Sequence, residues 1–144
     1  MTVSHWSHVY TQHLVAPPDR VLPLLTPIGE KAWARGWDPT ILHDAPGLVG
    51  TVFRTSAAGR PDTIWLCERY APDGVRYTRV TPGSDVTEIE VALAATSAGC
   101  DATVRYTFTT IGALGAAVVD RFTSAYWLEL MRTWEEDLNR CLRA

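Results

Sequence analysis

The chain contains 144 residues, of which 47% are hydrophobic and 20% are charged, and its formal net charge is −3. This length fits one domain spanning residues 1–144, and the composition is ordinary for a globular protein. Lys and Arg form no cluster along the sequence, so nucleic acid is not an expected partner. The longest weakly apolar run, 111–119, is too short to cross a bilayer.

Targeting and redox features favour a cytoplasmic location. The N-terminal segment has neither the basic region nor the apolar region of a signal peptide. The three cysteines, Cys67, Cys100 and Cys141, are odd in number and lack CxxC spacing. We therefore expect small buried thiols in a reducing compartment.

Residues 3–16 alternate between two faces and predict a first strand. One face carries Trp6, His8, Tyr10, Gln12 and Leu14. The pair Pro17-Pro18 then ends the strand, because proline lacks the N–H that a strand ladder needs.

Two short helices are predicted next. The apolar spacing within 21–25 is helical. Thr26 and Pro27 suit the N-cap and first turn of a second helix, which contains Trp33 and ends near Gly36.

The middle of the chain predicts a sheet. Six strands are expected, at about 40–43, 51–57, 62–70, 75–81, 85–95 and 101–110. In the last two, a buried face is expected for Thr87, Ile89, Val91, Leu93, Ala102, Val104, Tyr106 and Phe108. Glu88 and Glu90 fall on the opposite face, where a solvated surface is the expected role. This alternation is typical of an antiparallel sheet with one face in the core.

The segment 82–84 suggests a three-residue hairpin loop between two of these strands. With that loop, Tyr77 pairs with Ile89 and Arg79 pairs with Thr87. Arg79 would then lie on the buried face, near its rim. A slip of one residue would reverse this orientation.

The chain ends in a long amphipathic helix, predicted from about 118 to 142. Its apolar stripe consists of Thr123, Trp127, Leu130, Met131, Trp134, Leu138 and Cys141. Charged residues cover the other side, including Glu135, Glu136 and Asp137. Because the helix cannot bury its stripe alone, we expect a curved sheet to receive it.

Three features resemble a known superfamily: the order β-α-α-β…β-α, the segment Ala16-Pro-Pro-Asp-Arg-Val21, and the closing helix 127–142. They resemble the START-like polyketide cyclase/dehydrase and lipid-transport superfamily (SRPBCC), which has the helix-grip fold. The segments 26–39, 63–65 and 77–84 look like those of uncharacterised bacterial members. The resemblance implies an α+β fold with a hydrophobic cavity. It does not imply one chemistry, because members bind lipids, hormones and polyketides or catalyse cyclisation.

The polar candidates for catalysis are His8, Tyr10 and Glu30. His8 and Tyr10 share the expected inner face of the first strand, although a hydrogen-bonded structural histidine is the stronger expectation. Glu30 lies near a helix N-terminus, where a capping role is favoured over a role at the pocket. His5 and His13 point away from His8, so no metal site is expected.

No cofactor is expected. The segment 112–115 lacks the third glycine of a dinucleotide-binding loop and does not open a βαβ unit. Nucleophile motifs such as Gly-x-Ser-x-Gly are also missing from the sequence.

The candidate ligand-binding residues are mostly aromatic. They are Trp33, Trp37, Trp65, Tyr77, Arg79, Tyr106, Tyr126 and Trp134. The aromatic side chains exceed what a sheet packed on one helix needs, and Arg79 at a pocket rim would hold an acidic head group.

Three functions remain open. The favoured one is binding of a hydrophobic or aromatic small molecule, with an anionic head group as the sharper hypothesis. The first alternative is a cyclase or dehydratase that uses acid/base residues in the cavity. The second is a protein-interaction module without a ligand. The sequence leaves the oligomeric state open, with a homodimer among the alternatives.

Overall fold

A computed structural model describes residues 3–144. Seven strands form one sheet in the order β1-β7-β6-β5-β4-β3-β2, and each neighbouring pair is antiparallel. The strands are β1 (His5–Leu14), β2 (Thr40–His43), β3 (Val52–Thr55), β4 (Thr63–Ala71), β5 (Gly74–Thr81), β6 (Asp85–Thr96) and β7 (Gly99–Thr110). The first strand therefore pairs with the last, and the predicted antiparallel sheet is confirmed.

Short helical segments connect β1 to β2. They are α1 (Pro18–Val21) and two 3-10 turns, Leu22–Leu25 and Gly29–Ala32. The second predicted helix is therefore wrong in type and length, because Trp33 follows a single 3-10 turn.

Side-chain hydrogen bonds add to the short-range backbone bonds of this segment. Thr26 does cap it, since its Oγ1 accepts a hydrogen bond from the Gly29 N–H at 2.9 Å. The indole N–H groups of Trp33 and Trp37 each donate at 2.8 Å to a preceding backbone carbonyl, Leu24 and Pro27 respectively. These bonds fold the segment back on itself rather than extending a helix.

The C-terminal helix is also interrupted. The chain forms α2 (Gly115–Arg121) and then α3 (Ser124–Arg143), with a break at Phe122 and Thr123. Thr123 has an extended backbone, and its side chain accepts a hydrogen bond from the Tyr126 N–H at 3.2 Å. The expected single helix is therefore corrected: Thr123 is the N-cap of α3 rather than part of its stripe.

The predicted register of the β5–β6 hairpin is confirmed. Tyr77 lies opposite Ile89 and Arg79 lies opposite Thr87, across a loop of residues 82–84. Within that loop, Gly83 has φ of 74°, which a glycine adopts without steric cost. The pairing places Tyr77 and Arg79 on the inner face.

Helix α3 packs its apolar stripe against this inner face. Trp127, Met131 and Leu138 are buried as predicted, and Leu142 is buried where Cys141 was expected. Trp134 is only half-buried. The prediction for Asp137 is wrong, because this residue is 5% exposed rather than solvated.

Candidate active site and ligand cavity

A cavity of about 150 Å³ lies between the inner face of the sheet, the 3-10 turn Gly29–Ala32 and helix α3. Its wall is largely aromatic and aliphatic. The lining residues are Gln12, Leu25, Glu30, Trp33, Ala34, Trp37, Trp65, Val75, Tyr77, Arg79, Ile89, Val91, Val104, Tyr106, Trp134 and Leu138. Most of the strand residues reach it because every second side chain points inward.

The aromatic lining is a network of rings rather than isolated contacts. Phe53 stacks on Trp65 with ring centroids 5.3 Å apart, and Trp37 meets Trp65 edge-on at 5.4 Å. Trp33 meets Trp134 of helix α3 edge-on at 6.2 Å. Offset and edge-on geometries are favourable for aromatic pairs, so these contacts fix the shape of the wall.

Tyr77 is fixed by its hydroxyl, which donates to the Leu25 carbonyl at 2.7 Å. Burial raises the pKa of Tyr77, and the negative charge of Glu30 raises it further. Burial also raises the pKa of Tyr106, an effect that the nearby cation of Arg79 opposes. Both phenols therefore stay protonated at neutral pH and can act only as neutral hydrogen-bonding groups.

Glu30 points its carboxyl into this lining. The residue as a whole is half-buried, but the carboxyl lies among the aromatic rings, and burial raises its pKa from 4.5 to about 8. Within the described part of the chain, its side chain has no hydrogen-bond partner, and Thr26 rather than Glu30 supplies the side-chain hydrogen bond at the start of this turn. The favoured capping role is therefore wrong, and Glu30 is a largely protonated acid at neutral pH.

Arg79 is the cation of the cavity. It is half-buried, and its guanidinium carbon lies 5.1 Å from the ring centroid of Trp65 and 5.4 Å from that of Tyr106. Among residues 3–144, no carboxylate lies within 4.0 Å of it. The two rings stabilise the charge without using its hydrogen-bond donors, which remain free for a ligand.

Gln12 is a polar lining residue that the sequence analysis did not single out. Its Nε2 donates to the Met131 carbonyl at 3.2 Å, and the side chain is buried. Its inward position on β1 was predicted, and a polar residue at an inward position was the available signal.

The structure brings seven of the eight predicted ligand-binding residues to the cavity wall. Tyr126 is the exception, because it lies in a neighbouring groove where its hydroxyl accepts a hydrogen bond from Arg121 at 3.0 Å. Whether the seven residues bind a ligand stays a prediction.

Two of the three catalytic candidates lie outside the cavity. The ring of His8 stacks on Trp127 with centroids 5.5 Å apart, and its Nε2 lies 3.0 Å from the Phe122 carbonyl. The hydroxyl of Tyr10 donates to Glu135 at 2.8 Å. Both are therefore structural here, and only Glu30 lines the cavity.

The remaining titratable clusters do not form a metal centre. His5 bonds Thr109 at 2.8 Å, and His13 pairs with Asp101 at 2.7 Å on the protein surface. Across residues 3–144, no three His, Cys, Asp or Glu side chains gather in a way that could hold a metal ion. Over the same range, no helix is long and apolar enough to span a membrane.

Solved structures share this architecture. An uncharacterised protein from Rhizobium leguminosarum is similar with a TM-score of 0.69 and 16% identity, over 99% of this chain and 97% of that one. A protein from Rhizobium loti has a TM-score of 0.67 and 19% identity, over 98% and 99%. Norcoclaurine synthase from Thalictrum flavum, in complex with dopamine and hydroxybenzaldehyde, has a TM-score of 0.62 and 12% identity, over 94% and 86%.

These likenesses establish the fold class. The protein is an α+β protein with the helix-grip fold, as the sequence predicted. No protein-family model matches the sequence, and no curated protein matches it. Membership of the START-like superfamily therefore stays a prediction that the shared fold supports.

Proposed function

We propose that the cavity binds a small aromatic molecule whose anionic group is held by Arg79. The observation that carries this proposal is an aromatic cavity of about 150 Å³ with an unpaired guanidinium in its wall. Apolar pockets with a few convergent polar groups are the usual form of small-molecule sites. Arg forms bidentate hydrogen bonds with carboxylates, which gives such a site its orientation.

The cavity volume limits the ligand. An apolar cavity of about 150 Å³ is large enough to hold one benzene ring, and drug-sized ligands need about 300–1,000 Å³. A single aromatic ring with a short substituent therefore fits the cavity as it stands. A long acyl or polyketide chain does not fit unless the segment carrying Trp33 and Trp37 moves outward.

The protonation state of Glu30 is compatible with an anionic ligand. With its pKa raised to about 8, this carboxyl is mostly neutral at pH 7 and does not repel a bound acid. It can instead donate a hydrogen bond to the ligand. A similar fold in norcoclaurine synthase holds dopamine and hydroxybenzaldehyde, which are single-ring aromatic molecules. This supports the ligand size but not the ligand identity.

A second candidate function is acid–base catalysis by Glu30. It is favoured by one observation, a carboxyl without a hydrogen-bond partner among the described residues and with a pKa near neutrality, inside a cavity. The substrate would be a single-ring molecule, because the cavity is too small for a polyketide-like chain. An interaction module without a ligand is less well supported, because the interior is not filled.

A titration of the wild type and Arg79→Ala tests the favoured function. Benzoate and benzamide are matched probes, since they differ mainly in charge. We expect Arg79→Ala to weaken the affinity for benzoate by roughly 10- to 150-fold, because this is the change in affinity that corresponds to losing one hydrogen bond to a charged group. Benzamide binding should change little. Arg76→Ala is the control, because Arg76 lies on the same strand but is exposed on the outer face.

Equal weakening of benzoate and benzamide in Arg79→Ala would show that the side chain acts through packing alone. Absence of binding for both probes to the wild type would remove the proposal that the cavity accepts an aromatic ring. An effect of Arg76→Ala as large as that of Arg79→Ala would show a general charge effect rather than a specific contact.

A further inference from the structure

A groove of about 360 Å³ adjoins the aromatic cavity and carries four arginines. It shares Arg79, Tyr106 and Trp134 with the cavity wall, so the two spaces meet at these side chains. The other arginines come from separate parts of the chain: Arg35 follows the 3-10 turn, Arg60 precedes β4 and Arg121 ends α2. The fold thus gathers cations here from four separate segments, in a protein whose net charge is −3.

The charges of this groove are not balanced internally. Arg35 is neutralised, because it pairs with Asp137 at 3.0 Å. The other three arginines have no carboxylate within 4.0 Å among the described residues. Arg60 donates only to the Ser84 hydroxyl at 3.3 Å, and Arg121 donates to the Tyr126 hydroxyl at 3.0 Å.

One carboxylate faces the groove, and it is already satisfied. Asp85 is buried, and its two oxygens accept hydrogen bonds from Ser84 at 2.7 Å and Thr87 at 2.5 Å. Three unpaired guanidinium groups therefore face one buried carboxylate. The groove keeps a net positive charge that an anion from outside would neutralise.

We propose that this groove binds a phosphate-type dianion attached to the aromatic ring in the cavity, so that the ligand is an aryl phosphate monoester or a close relative. This inference rests on the proposed function, because the ring occupies the cavity. A single carboxylate is matched by one bidentate arginine and would leave Arg60 and Arg121 unused. A phosphate monoester carries about −1.5 to −2 charges at pH 7 and three acceptor oxygens, so it can contact several guanidinium groups at once.

The position of Arg79 connects the two parts of such a ligand. Its guanidinium lies over the rings of Trp65 and Tyr106, which line the cavity, while the same side chain lines the groove. An oxyanion bonded to a ring in the cavity would therefore emerge beside Arg79. Arg60 and Arg121 then supply the contacts that separate a phosphate from a carboxylate.

The test compares phenyl phosphate, benzoate and benzamide at pH 7 by calorimetric titration. We expect the wild type to bind phenyl phosphate at least about 10-fold more tightly than benzoate. Arg60→Gln and Arg121→Gln should each weaken phenyl phosphate by about 3- to 10-fold, a range set by hydrogen bonds to partly exposed charges. Neither variant should change benzamide binding. Arg105→Gln is the charge-matched control, because Arg105 is exposed on the outer face of β7.

The outcomes separate the two proposals. If benzamide and benzoate bind but phenyl phosphate binds no more tightly than benzoate, the groove proposal is wrong and the cavity proposal stands. An equal loss in Arg105→Gln and Arg60→Gln would also overturn the groove, because it would reflect net charge alone. If benzamide and benzoate fail to bind while phenyl phosphate binds and needs Arg60 and Arg121, the groove binds a phosphate without a ring in the cavity, which rejects the proposed function and the aryl ligand that rests on it. Failure of all three probes rejects both.

Discussion

The interior of this protein has two ends, and aromatic side chains build both of them. At the packed end, Trp6 stacks on Phe108 at 4.8 Å and Phe108 meets Phe122 at 4.6 Å. Phe108 is fully buried there. At the cavity end, the rings of Trp33 and Trp134 lie 6.2 Å apart and border open space. Aromatic content alone therefore does not distinguish a core from a pocket.

Polar partners distinguish the two ends better. At the packed end, the Nε2 of His8 forms a hydrogen bond of 3.0 Å with the Phe122 carbonyl. At the cavity end, Glu30 and Arg79 have no hydrogen-bond partner among the described residues. Both side chains border open space, so their polar atoms are available to a ligand, as the proposed function requires. Trp127 is an exception at the packed end, because its buried Nε1 also lacks a hydrogen-bond partner.

The largest expected contrast between the two ends is in stability. Phe108→Ala should lower the free energy of unfolding by about 3–5 kcal/mol, because it leaves a void in a close-packed region. Trp134→Ala should cost less, about 1–2 kcal/mol, because that ring is half-buried and already borders a cavity. Denaturant unfolding of both variants measures the difference.

The contrast has its own control. Leu128→Ala removes an exposed leucine from α3 and should change stability by less than about 0.5 kcal/mol. A cost for Trp134→Ala equal to that for Phe108→Ala would mean that the cavity end is packed as tightly as the other end, so the two ends would not differ in packing.

Strand pattern and register could be predicted from the sequence because both depend on local alternation. The length of the 82–84 loop predicted the cross-strand partners of Tyr77 and Arg79. The alternation of side chains along each strand then predicted which residues share the inner face. Helix boundaries could not be predicted equally well. Thr123 has a side chain that suits either a helix surface or an N-cap, and only the turn at Phe122 decides between them.

The site was predictable in its walls but not in its polar groups. The inward position of Tyr106 was predicted from strand alternation and that of Tyr77 from the 82–84 hairpin loop. The place of Glu30 in the cavity wall depends on how the 3-10 turn packs over the sheet. This packing is a long-range contact that no local sequence pattern predicts. Asp137 was misassigned for the same reason, since its partner Arg35 lies 102 residues away in sequence.

The next largest effect concerns pH and Glu30. Its pKa rises from 4.5 in the unfolded chain to about 8 in the folded protein, because burial disfavours the charged form. The folded state thus holds a proton that the unfolded state releases, and stability falls as pH rises from about 4.5 to 8. Glu30→Gln removes this cost, so we expect the variant to be about 2–3 kcal/mol more stable than the wild type at pH 7.

The Glu30→Gln gain should shrink to near zero at pH 4.5, where the wild-type carboxyl is protonated in the folded protein. Unfolding at a series of pH values gives this profile. Glu129→Gln, an exposed change on α3, should show no such trend. A Glu30→Gln gain that is constant with pH would mean that the carboxyl is not desolvated, and Glu30 would lose its place as the candidate acid–base group.

The smallest effect tests how the segment over the cavity is held in place. Asp137 on α3 accepts hydrogen bonds from Arg140 at 2.8 Å and from Arg35 at 3.0 Å, and Arg35 lies between Trp33 and Trp37. Burial acts to raise the pKa of Asp137, but the hydrogen bonds and charges of the two arginines outweigh it, and the pKa is lowered. Because both arginines are largely exposed, we expect Asp137→Asn to cost only about 1 kcal/mol at pH 7.

The sign of the pH dependence is opposite to that of Glu30. A lowered carboxyl pKa contributes stability above the ordinary value of 3.8, and that contribution is lost as pH falls through the folded-state pKa. The difference between the wild type and Asp137→Asn should therefore be present at pH 7 and vanish in strong acid. Glu136→Gln, a neighbouring exposed change, should match the stability of the wild type at every pH.

If Asp137→Asn also weakens benzamide binding while Glu136→Gln does not, then the Arg35–Asp137 pair holds Trp33 and Trp37 over the ligand. Unchanged benzamide binding would show that the indole hydrogen bonds to Leu24 and Pro27 are sufficient to hold these two rings.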